Sequence, residues 1–411
     1  MPSRTLAGPV ALVCMLGMTL PVGCATSDGT GNTVTVRDSA GITIVESTEP
    51  AWAEGTGWRV GDVPSVEIGG LPDDPRYDLL RVGAAFRLAD GRLVVANAGS
   101  QELKFYDAAG AHLLDAGGEG QGPGEFTGLG LLAVQAGDTL LAFDFRQRRL
   151  SRFDPDGTFQ DVFSFAGNDQ GSVTMVDAFD DGTILSRTRR QFSAGSLPSG
   201  LRRDSALYFI HQLPITQFDT VGLMADTESF VKAAEGAMTV RRLAFGKRTT
   251  VVAHGEHIYS GTGDSYQIRV LDKSGAPRTI IRRAHEALAL SPDQIEAHKE
   301  SERDEIASQG TPPRFKAMFE AMLEEMPYPA THPAYSEFTL DRAGYLWVQG
   351  FEFPDDNIHR YQVFDITGQW LGAVEMPEGL EPTDIGPDYV LGIWRDEDEI
   401  EYVRLYPLVK Q

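Results

Sequence analysis

The arginines are the residues of this sequence whose grouping could support binding chemistry. A guanidinium group presents a planar fork of N–H donors that fits a carboxylate or a phosphate. Several such groups on one loop face would form an anion site. Six arginines in or beside the predicted loops are candidates for it: Arg146, Arg148, Arg187, Arg189, Arg190 and Arg395. The alternative is that these cations pair with the many surrounding carboxylates, and the sequence leaves both interpretations open.

Patterns that would indicate a particular reaction are missing from the sequence. The eight histidines show no His-x-x-x-His spacing, and His254 and His257, three apart, fall at a predicted hairpin turn. The chain has neither a Gly-x-Ser-x-Gly nucleophile elbow nor a phosphate-binding loop. The glycines at 118, 120 and 122 superficially suggest a dinucleotide loop, but no strand–helix–strand unit surrounds them.

The first 23 residues predict export from a bacterial cell. Arg4 precedes an apolar run over residues 6–20, which includes Cys14. An apolar run of about 15 residues is short for a membrane span and is typical of a signal peptide. Residues 1–23 are therefore predicted to be a lipoprotein-type signal peptide.

Cys24 is the candidate lipidation site. A small residue, Gly23, precedes it, as in lipoprotein signals, and Ala25 rather than an aspartate follows it, which favours the outer membrane. Residues 24–35 are small and polar, as expected for a flexible tether. We therefore expect attachment to the outer membrane through the lipid, facing the periplasm or the cell surface. The alternative is ordinary cleavage after Ala25 without a lipid.

The composition describes an acidic, turn-rich chain. Lys and Arg number 36 and Asp and Glu 59, giving a net charge of −23. This charge argues against nucleic acid as a partner and against a basic patch that binds anionic lipid. After signal removal only one cysteine remains, which excludes an intramolecular disulfide and a cysteine-rich zinc site. The 44 Gly and 23 Pro favour many turns between short strands.

An Asp-x-x-Gly turn recurs along the chain and sets the predicted fold. Its copies begin at Asp107, Asp154, Asp219, Asp272 and Asp365, each beside alternating strands. The aspartate caps a tight turn and the glycine takes the positive φ that closes it. A second turn precedes most copies. Two hairpin turns per repeat imply four antiparallel strands, which is the blade of a β-propeller.

We therefore predict an all-β fold, a six-bladed β-propeller over residues 36–411. The last repeat lacks its final strand, and the segment from 36 to 45, with its own Asp-x-x-Gly turn, can supply it. An N-terminal strand that closes the last blade would cover the edges that a ring otherwise exposes.

A two-helix insertion is predicted at about 284–335. Ser291, Pro292 and Gln294 form a helix start, and a second helix after Pro313 carries an apolar stripe. The stripe either packs on the channel mouth or forms a movable lid or partner-docking helix. The lid candidates are Phe315, Met318, Phe319 and Met322.

Two sets of motifs resemble known propellers. Residues 117–126, with Gly122-Pro123-Gly124-Glu125-Phe126, resemble the glycine-rich junction of NHL-type repeats. Residues 327–329, 333–335, 340–348 and 363–368 resemble a group of uncharacterised bacterial six-bladed β-propeller lipoproteins. The resemblance covers about 36–411. It implies an architecture but hardly a function, because propellers of one shape host binding modules, lactonases and lyases.

Lactonase-like propellers hold a divalent cation with oxygen ligands around the channel mouth. By that resemblance, Asn97, Asp144 and Asp264 are candidate ligands for Ca²⁺. We expect ligands on the face that carries the second-to-third-strand loops and the crossings between blades, since the Asp-x-x-Gly turns occupy the other face.

The predicted function is that of a monomeric, envelope-anchored binding or interaction module without a cofactor. Its expected partner is a small anionic ligand or an envelope protein. The alternative is a divalent-metal-dependent, lactonase-like hydrolase at the channel mouth.

Overall fold

The computed structural model describes residues 33–71, 73–165, 171–189, 197–215, 217–234, 237–308, 312–351 and 359–410. The predicted signal peptide, Cys24 and most of the tether lie outside these ranges. Within them, the chain forms many short strands and two α-helices. None of the described helices has the length and apolar character needed to cross a membrane.

The first half of the chain forms the N-terminal strands and two four-stranded antiparallel sheets. The N-terminal strands are β1 (Val34–Ser39), β2 (Ile42–Ser47), β3 (Arg59–Val60) and β4 (Val66–Gly69). Sheet 1 contains β5 (Val82–Arg87), β6 (Leu93–Asn97), β7 (Glu102–Tyr106) and β8 (His112–Gly117). Sheet 2 contains β9 (Leu129–Val134), β10 (Leu140–Asp144), β11 (Arg149–Phe153) and β12 (Phe159–Ser164).

Sheet 3 and a three-stranded side sheet follow. They are built from β13 (Ser172–Ala178), β14 (Ile184–Arg189), β15 (Gly200–Arg202), β16 (Ser205–His211), β17 (Asp219–Ala225), β18 (Ser229–Ala234) and β19 (Ala237–Arg242). Strands β13, β14, β16 and β17 form sheet 3. Strands β15, β18 and β19 form the side sheet, which arises from the connections around sheet 3.

Sheet 4 contains β20 (Thr250–His254), β21 (His257–Gly261), β22 (Gln267–Asp272) and β23 (Pro277–Arg283). The helices α1 (Pro292–Ser308) and α2 (Pro313–Glu325) come next. Sheet 5 contains β24 (Phe338–Leu340), β25 (Leu346–Gln349), β26 (Arg360–Phe364) and β27 (Trp370–Glu375). Sheet 6 contains β28 (Leu380–Ile385), β29 (Tyr389–Arg395) and β30 (Glu401–Val409).

The burial of each strand follows its position in its sheet. Strands β6 and β10, second in their sheets, are buried at every residue, whereas the outer strand β12 alternates between half-buried and exposed residues. An apolar run suits a strand covered on both faces, and alternation suits a strand with one wet face. The hydrophobic pattern of each of these strands therefore indicates whether it lies inside its sheet or at the outer edge.

Each hydrophobic cluster of the sheets lies between two consecutive sheets. Representative pairs across the six junctions are Leu103 with Leu129, Phe143 with Val173, Tyr208 with Val251, Ile268 with Phe338, Trp347 with Val390, and Tyr389 with Val82. The last pair joins sheet 6 to sheet 1. The described sheets therefore close into a propeller-like ring.

The strand that completes sheet 6 is not the one predicted. Strand β4 pairs with β30 along Val66–Gly69, and β3 pairs with the end of β30. The β1–β2 hairpin instead adds to the outside of sheet 4, where β2 runs parallel to β23. The prediction that residues 36–45 close the last blade is wrong. The physical reason is that β4 buries Ile68 between sheets 6 and 1, whereas β2 buries Ile44 and Val45 where it pairs with β23 of sheet 4.

The Asp-x-x-Gly turn is confirmed in four of its five predicted copies. In each, Oδ1 of the aspartate accepts backbone N–H groups two and four residues later, and the glycine has a φ between 78° and 88°. The copy at Asp219 is wrong, because Asp219 and Gly222 both lie inside β17. There the side-chain amide of Gln217 donates to the Asp219 carboxylate.

The helical insertion begins as predicted. Ser291 Oγ accepts the N–H of Gln294 at 3.2 Å, and Gln294 Oε1 accepts the N–H of Ser291 at 2.9 Å, a reciprocal cap. Two helices follow within the predicted range. Met322 of helix α2 and Met326, its C-cap residue, are buried against Phe230 of the side sheet.

Candidate functional site

A cavity of about 540 Å³ lies where the inner strands of all six sheets end. Its wall takes one residue or more from each of the strands β5, β9, β13, β20, β24 and β28. The cavity therefore sits on the axis around which the sheets are arranged. It lies on the side of the first-to-second-strand turns, whereas the sequence analysis placed ligand binding on the opposite face.

Five aspartates line this cavity and give it a negative wall. They are Asp138, Asp177, Asp180, Asp341 and Asp384. The arginine in the wall is Arg342. Because low-dielectric walls focus the field of such charges, their pairing decides which ligand the cavity favours.

On one side the carboxylates are neutralised. Arg342 donates from Nε and Nη2 to the two oxygens of Asp384, both at 2.8 Å, and the hydroxyl of Tyr389 donates to Asp384 at 2.8 Å. Burial, and then the charge of Asp384, raise the pKa of Tyr389 far above its usual value. Burial alone would lower the pKa of Arg342, but the pairing with Asp384 outweighs it. This side presents a satisfied ion pair.

Asp341 is also satisfied. Its Oδ1 accepts the N–H groups of Ala343 and Tyr345, both at 2.9 Å, and its Oδ2 lies 3.5 Å from Lys410 Nζ. The Lys410 ammonium stands 4.0 Å from the ring centroid of Trp58, within cation–π range. The carboxylate of Asp341 thus holds its turn together and has a cation beside it.

The other carboxylates of the wall have no ion-pair partner among the described residues, although the charge of Asp138 acts on Arg342 and raises the pKa of that guanidinium group. Asp177 Oδ2 accepts the N–H of Ala253 at 2.9 Å and Oδ1 accepts that of Ala178 at 2.8 Å. Asp138 Oδ2 accepts the N–H of Ala89 at 2.8 Å. Within the described ranges, neither of these groups nor Asp180 forms an ion pair. Burial raises the pKa of Asp177 to about 6, against the opposing effect of its two backbone donors.

Asp177 and Asp384 occupy equivalent places, and sequence reasoning missed both. Each follows a β-bulge in the innermost strand of its sheet, and each accepts an N–H from the inner strand of the next sheet. A bulge turns a side chain away from the direction that strict alternation would give it. For Asp177 the signal available in the sequence was an acidic residue in a strand of mostly apolar residues, whereas β28 around Asp384 is itself polar and gives no such signal.

The candidate arginines whose side chains the structure describes do not gather in one site. Arg187 pairs with Asp226 at 3.1 Å, and Arg395 pairs with Glu381 and Glu401 at 2.9 and 3.0 Å. These pairs match the alternative that the sequence left open. Arg146 and Arg148 are exposed in the loop between β10 and β11. The side chain of Arg189 and the whole of Arg190 lie outside the described residues.

The carboxylate of Asp144, a candidate calcium ligand, is occupied by hydrogen bonds from the backbone. It is buried and accepts the backbone N–H groups of Thr127, Gly128, Arg146 and Gln147 at 2.7–3.1 Å. Burial alone would raise its pKa, but these four donors hold the pKa below its usual value. A cation at this carboxylate would face N–H dipoles rather than oxygens.

Asn97 and Asp264 are also engaged, in two other sheets. Asn97 accepts the N–H of Leu80 at 2.8 Å and donates to the carbonyl of Asp78 at 3.0 Å. Asp264 holds Arg203 Nη1 at 2.8 and 2.9 Å, and despite its burial its hydrogen bonds lower its pKa to about 2. The three candidates do not fit a Ca²⁺ site. In the described part of the chain no group of three His, Cys, Asp or Glu residues is arranged to hold a metal.

The lid candidates contact the side sheet. Met318 Sδ lies 3.8 Å from Thr239 Oγ1, and Arg241 stands 5.4 Å from the ring of Phe319. Met322 is fully buried in the cluster with Phe230. The side chain of Phe315 lies outside the described residues. The described part of the stripe has its apolar partners in Phe230 of β18 and in Leu243 and Ala244, which follow β19.

Comparison with known proteins identifies a shared fold without an assigned family. No protein-family model and no curated protein matches the chain. A solved member of the DUF4221 family from Bacteroides vulgatus is similar over 87% of this chain and 100% of its own, with 10% identity and a TM-score of 0.51. A putative exported protein from Bacteroides fragilis is similar over 90% of this chain and 99% of its own, with 13% identity and a TM-score of 0.48.

Enzymes are also among the similar structures, at lower structural similarity. Virginiamycin B lyase from Staphylococcus aureus is similar over 86% of this chain and 100% of its own, with 9% identity and a TM-score of 0.40. At these identities a similarity speaks for the fold alone.

Proposed function

We propose that the chain is a six-bladed β-propeller, anchored to the outer membrane through Cys24, that binds a small organic cation in its central cavity. The six-blade count is supported by the six four-stranded units and by hydrophobic clusters at all six junctions between them. The anchor is supported by the export signal and the cysteine that follows it.

The observation that carries the ligand class is a set of carboxylates in the cavity that form no ion pair among the described residues. Asp138, Asp177 and Asp180 come from two neighbouring sheets, while Arg342 already holds Asp384. An ammonium group in the cavity would stand beside carboxylates that form no ion pair among the described residues. Binding sites for small molecules combine a concave wall with a few placed polar groups, and a volume of about 540 Å³ suits such a ligand.

An organic cation fits this wall better than a metal ion. Asp177 and Asp138 each already accept backbone N–H groups, and these donors leave no ring of free oxygens around one point. An ammonium group needs only one or two acceptors, and its carbon chain can contact the apolar ends of Phe86 and Leu340. The calcium-dependent hydrolase is not proposed, because its three expected ligands are engaged elsewhere.

Isothermal titration calorimetry of the purified protein with spermidine tests the ligand class. We expect saturable binding that weakens at least tenfold in Asp177→Asn and in Asp138→Asn, since each change removes a charge from the unpaired side. Asp398→Asn, which removes an equal charge from an exposed turn, is the matched control and should bind like the parent. Equal weakening by the control, or equal binding of a neutral diol of similar length, would contradict a specific cation site.

Cell fractionation tests the anchor. Cys24→Ser should leave the folded protein soluble in the periplasm, because an acylated N-terminus is the attachment that the sequence provides. The parent should partition with outer-membrane vesicles. If the variant stays with the membrane to the same extent, the lipid is not the anchor.

A further inference from the structure

A second cavity, of about 370 Å³, lies on the opposite face between sheets 1 and 2. Its wall is formed by the segment before β5, the loop between β6 and β7, the crossing before β9 and the loop after β10. It shares no residue with the central cavity.

Positive side chains outnumber negative ones in the wall of this cavity, whereas the reverse holds for the central cavity. Two arginines, Arg81 and Arg146, stand in its wall, and both are exposed. In the described part of the chain neither guanidinium group is in an ion pair, although acidic residues outnumber basic ones in this protein. Glu119 also lines the wall without pairing with either. Arg187, Arg203 and Arg395, by contrast, are each held by carboxylates.

An aromatic ring completes the wall. Phe145 is 43% exposed, and the edge-to-face contact with Phe143, at 5.1 Å between ring centroids, fixes its orientation. Two glycines of the neighbouring segment allow this placement. A Cβ at Gly130 would stand 2.7 Å from the ring of Phe145, and one at Gly128 would stand 2.7 Å from Cγ of Arg146. One edge of the ring and the arginine stem therefore lie directly against the backbone of these glycines.

We propose that this cavity binds a small aromatic carboxylate. The two guanidinium forks suit the carboxylate, and the open face of Phe145 suits the ring that bears it. An isolated inorganic anion would use only the arginines and leave the ring uncovered. This inference is independent of the proposed cation site, because the two cavities lie at opposite ends of the strands and have no residue in common.

Isothermal titration calorimetry of the purified protein with 2-naphthoate tests the inference. We expect saturable binding that weakens at least fivefold in Arg81→Gln and in Arg146→Gln and is lost in the double variant. Phe145→Ala should weaken it at least fivefold as well. Arg148→Gln is the matched control, because Arg148 is exposed in the same loop but does not line the cavity. Glu119→Gln should strengthen binding by removing a nearby negative charge.

Three results would overturn the inference. The first is equal weakening by the Arg148 control, which would indicate attraction to overall positive charge. The second is equal affinity for 2-naphthalenemethanol, which has the same ring without the carboxylate. The third is equal affinity for inorganic phosphate with no effect of Phe145→Ala. Circular dichroism and the melting temperature of each variant establish that a loss of binding is not a loss of fold.

Discussion

At the residue scale, Asp177 lies in the wall of the central cavity and its burial has a cost in stability that depends on pH.

 The carboxyl group follows a bulge, and burial raises its pKa to about 6 from a usual value near 3.8. The folded state therefore binds this proton more tightly than the unfolded chain does. As the pH rises from about 4 to 6 the unfolded chain releases its proton first, so the stability of the fold falls over this window and stays lower above it.

The first prediction is that Asp177→Asn stabilises the protein at neutral and alkaline pH. A pKa raised by about two units corresponds to roughly 3 kcal/mol of unfolding free energy above pH 6. Asparagine keeps one acceptor for the N–H of Ala253 and removes the buried charge. Urea unfolding at pH 8 and at pH 4 measures the effect. We expect a gain at pH 8 that disappears at pH 4, and a gain that is equal at both values would contradict it. Such a gain, together with weaker cation binding, would mark a residue kept for function rather than stability.

The second prediction concerns His211, whose effect on stability has the opposite pH dependence. It is 2% exposed, its Nε2 lies 3.1 Å from Ser186 Oγ, and burial lowers its pKa to about 4. The unfolded chain takes up this proton first as the pH falls. Stability is therefore lost between about pH 6.5 and pH 4, by roughly 3 kcal/mol.

His211→Gln should remove that part of the acid sensitivity. The informative quantity is the slope of unfolding free energy against pH between 7 and 4, since the substitution also changes packing against the ring of Phe165, 5.2 Å away. We expect a flatter slope in the variant. An unchanged slope would show that the imidazole does not stay neutral in the folded state.

Single residues were the least predictable level from the sequence. The turn aspartates, such as Asp107, could be identified because their role is local and repeats with a fixed spacing. Asp177 and Asp384 could not, because their positions depend on a bulge and on the neighbouring sheet. Arg187 and Arg395 have carboxylate partners that lie far from them along the chain or across a hairpin. A pattern of residue types does not show which cations remain unpaired.

At the element scale, the sequence pattern of helix α2 predicted the helix correctly but did not predict the surface on which the helix packs. The apolar stripe predicted a helix that buries one face, and Met322 is fully buried. The surface it covers is the side sheet, which comes from the connections around sheet 3. That sheet has no repeat of its own in the sequence, so the partner of the helix could not be deduced from the turn pattern.

The third prediction is that α2 is a fixed part of the fold. Met322→Ala should cost about 2–5 kcal/mol of unfolding free energy, as other methionine truncations in cores do. Lys316→Ala, on the exposed side of the same helix, is the control and should change stability little. A double-mutant cycle with Phe230→Ala should give a coupling energy of about 0.5 kcal/mol or more, since the two side chains belong to one cluster. A near-zero cost of Met322→Ala would instead favour a movable helix.

At the scale of the whole molecule, the ring depends on one junction between distant parts of the chain. Five junctions join sheets that follow one another in sequence, whereas the sixth joins sheet 6 to sheet 1. The repeat predicted a ring because equal four-stranded units leave edges that only closure can cover. It did not identify the closing strand, since β2 and β4 are both short strands near the N-terminus and compete for that assignment.

The fourth prediction is that β4, and not the β1–β2 hairpin, holds the ring closed. Ile68 of β4 packs with Val82 of sheet 1 and Val403 of sheet 6, whereas Ile44, which is also buried, belongs to β2 beside the outer strand β23 of sheet 4. Ile68→Ala should therefore speed hydrogen exchange in both β5 and β30, because loosening the junction exposes both sheets. Ile44→Ala, the same truncation, should speed exchange only in β1, β2 and β23. Mass spectrometry of peptides from these strands distinguishes the two patterns. If Ile44→Ala opened β5 and β30 as much as Ile68→Ala does, closure would depend on the hairpin, and the strand pairing described here would not be what holds the ring.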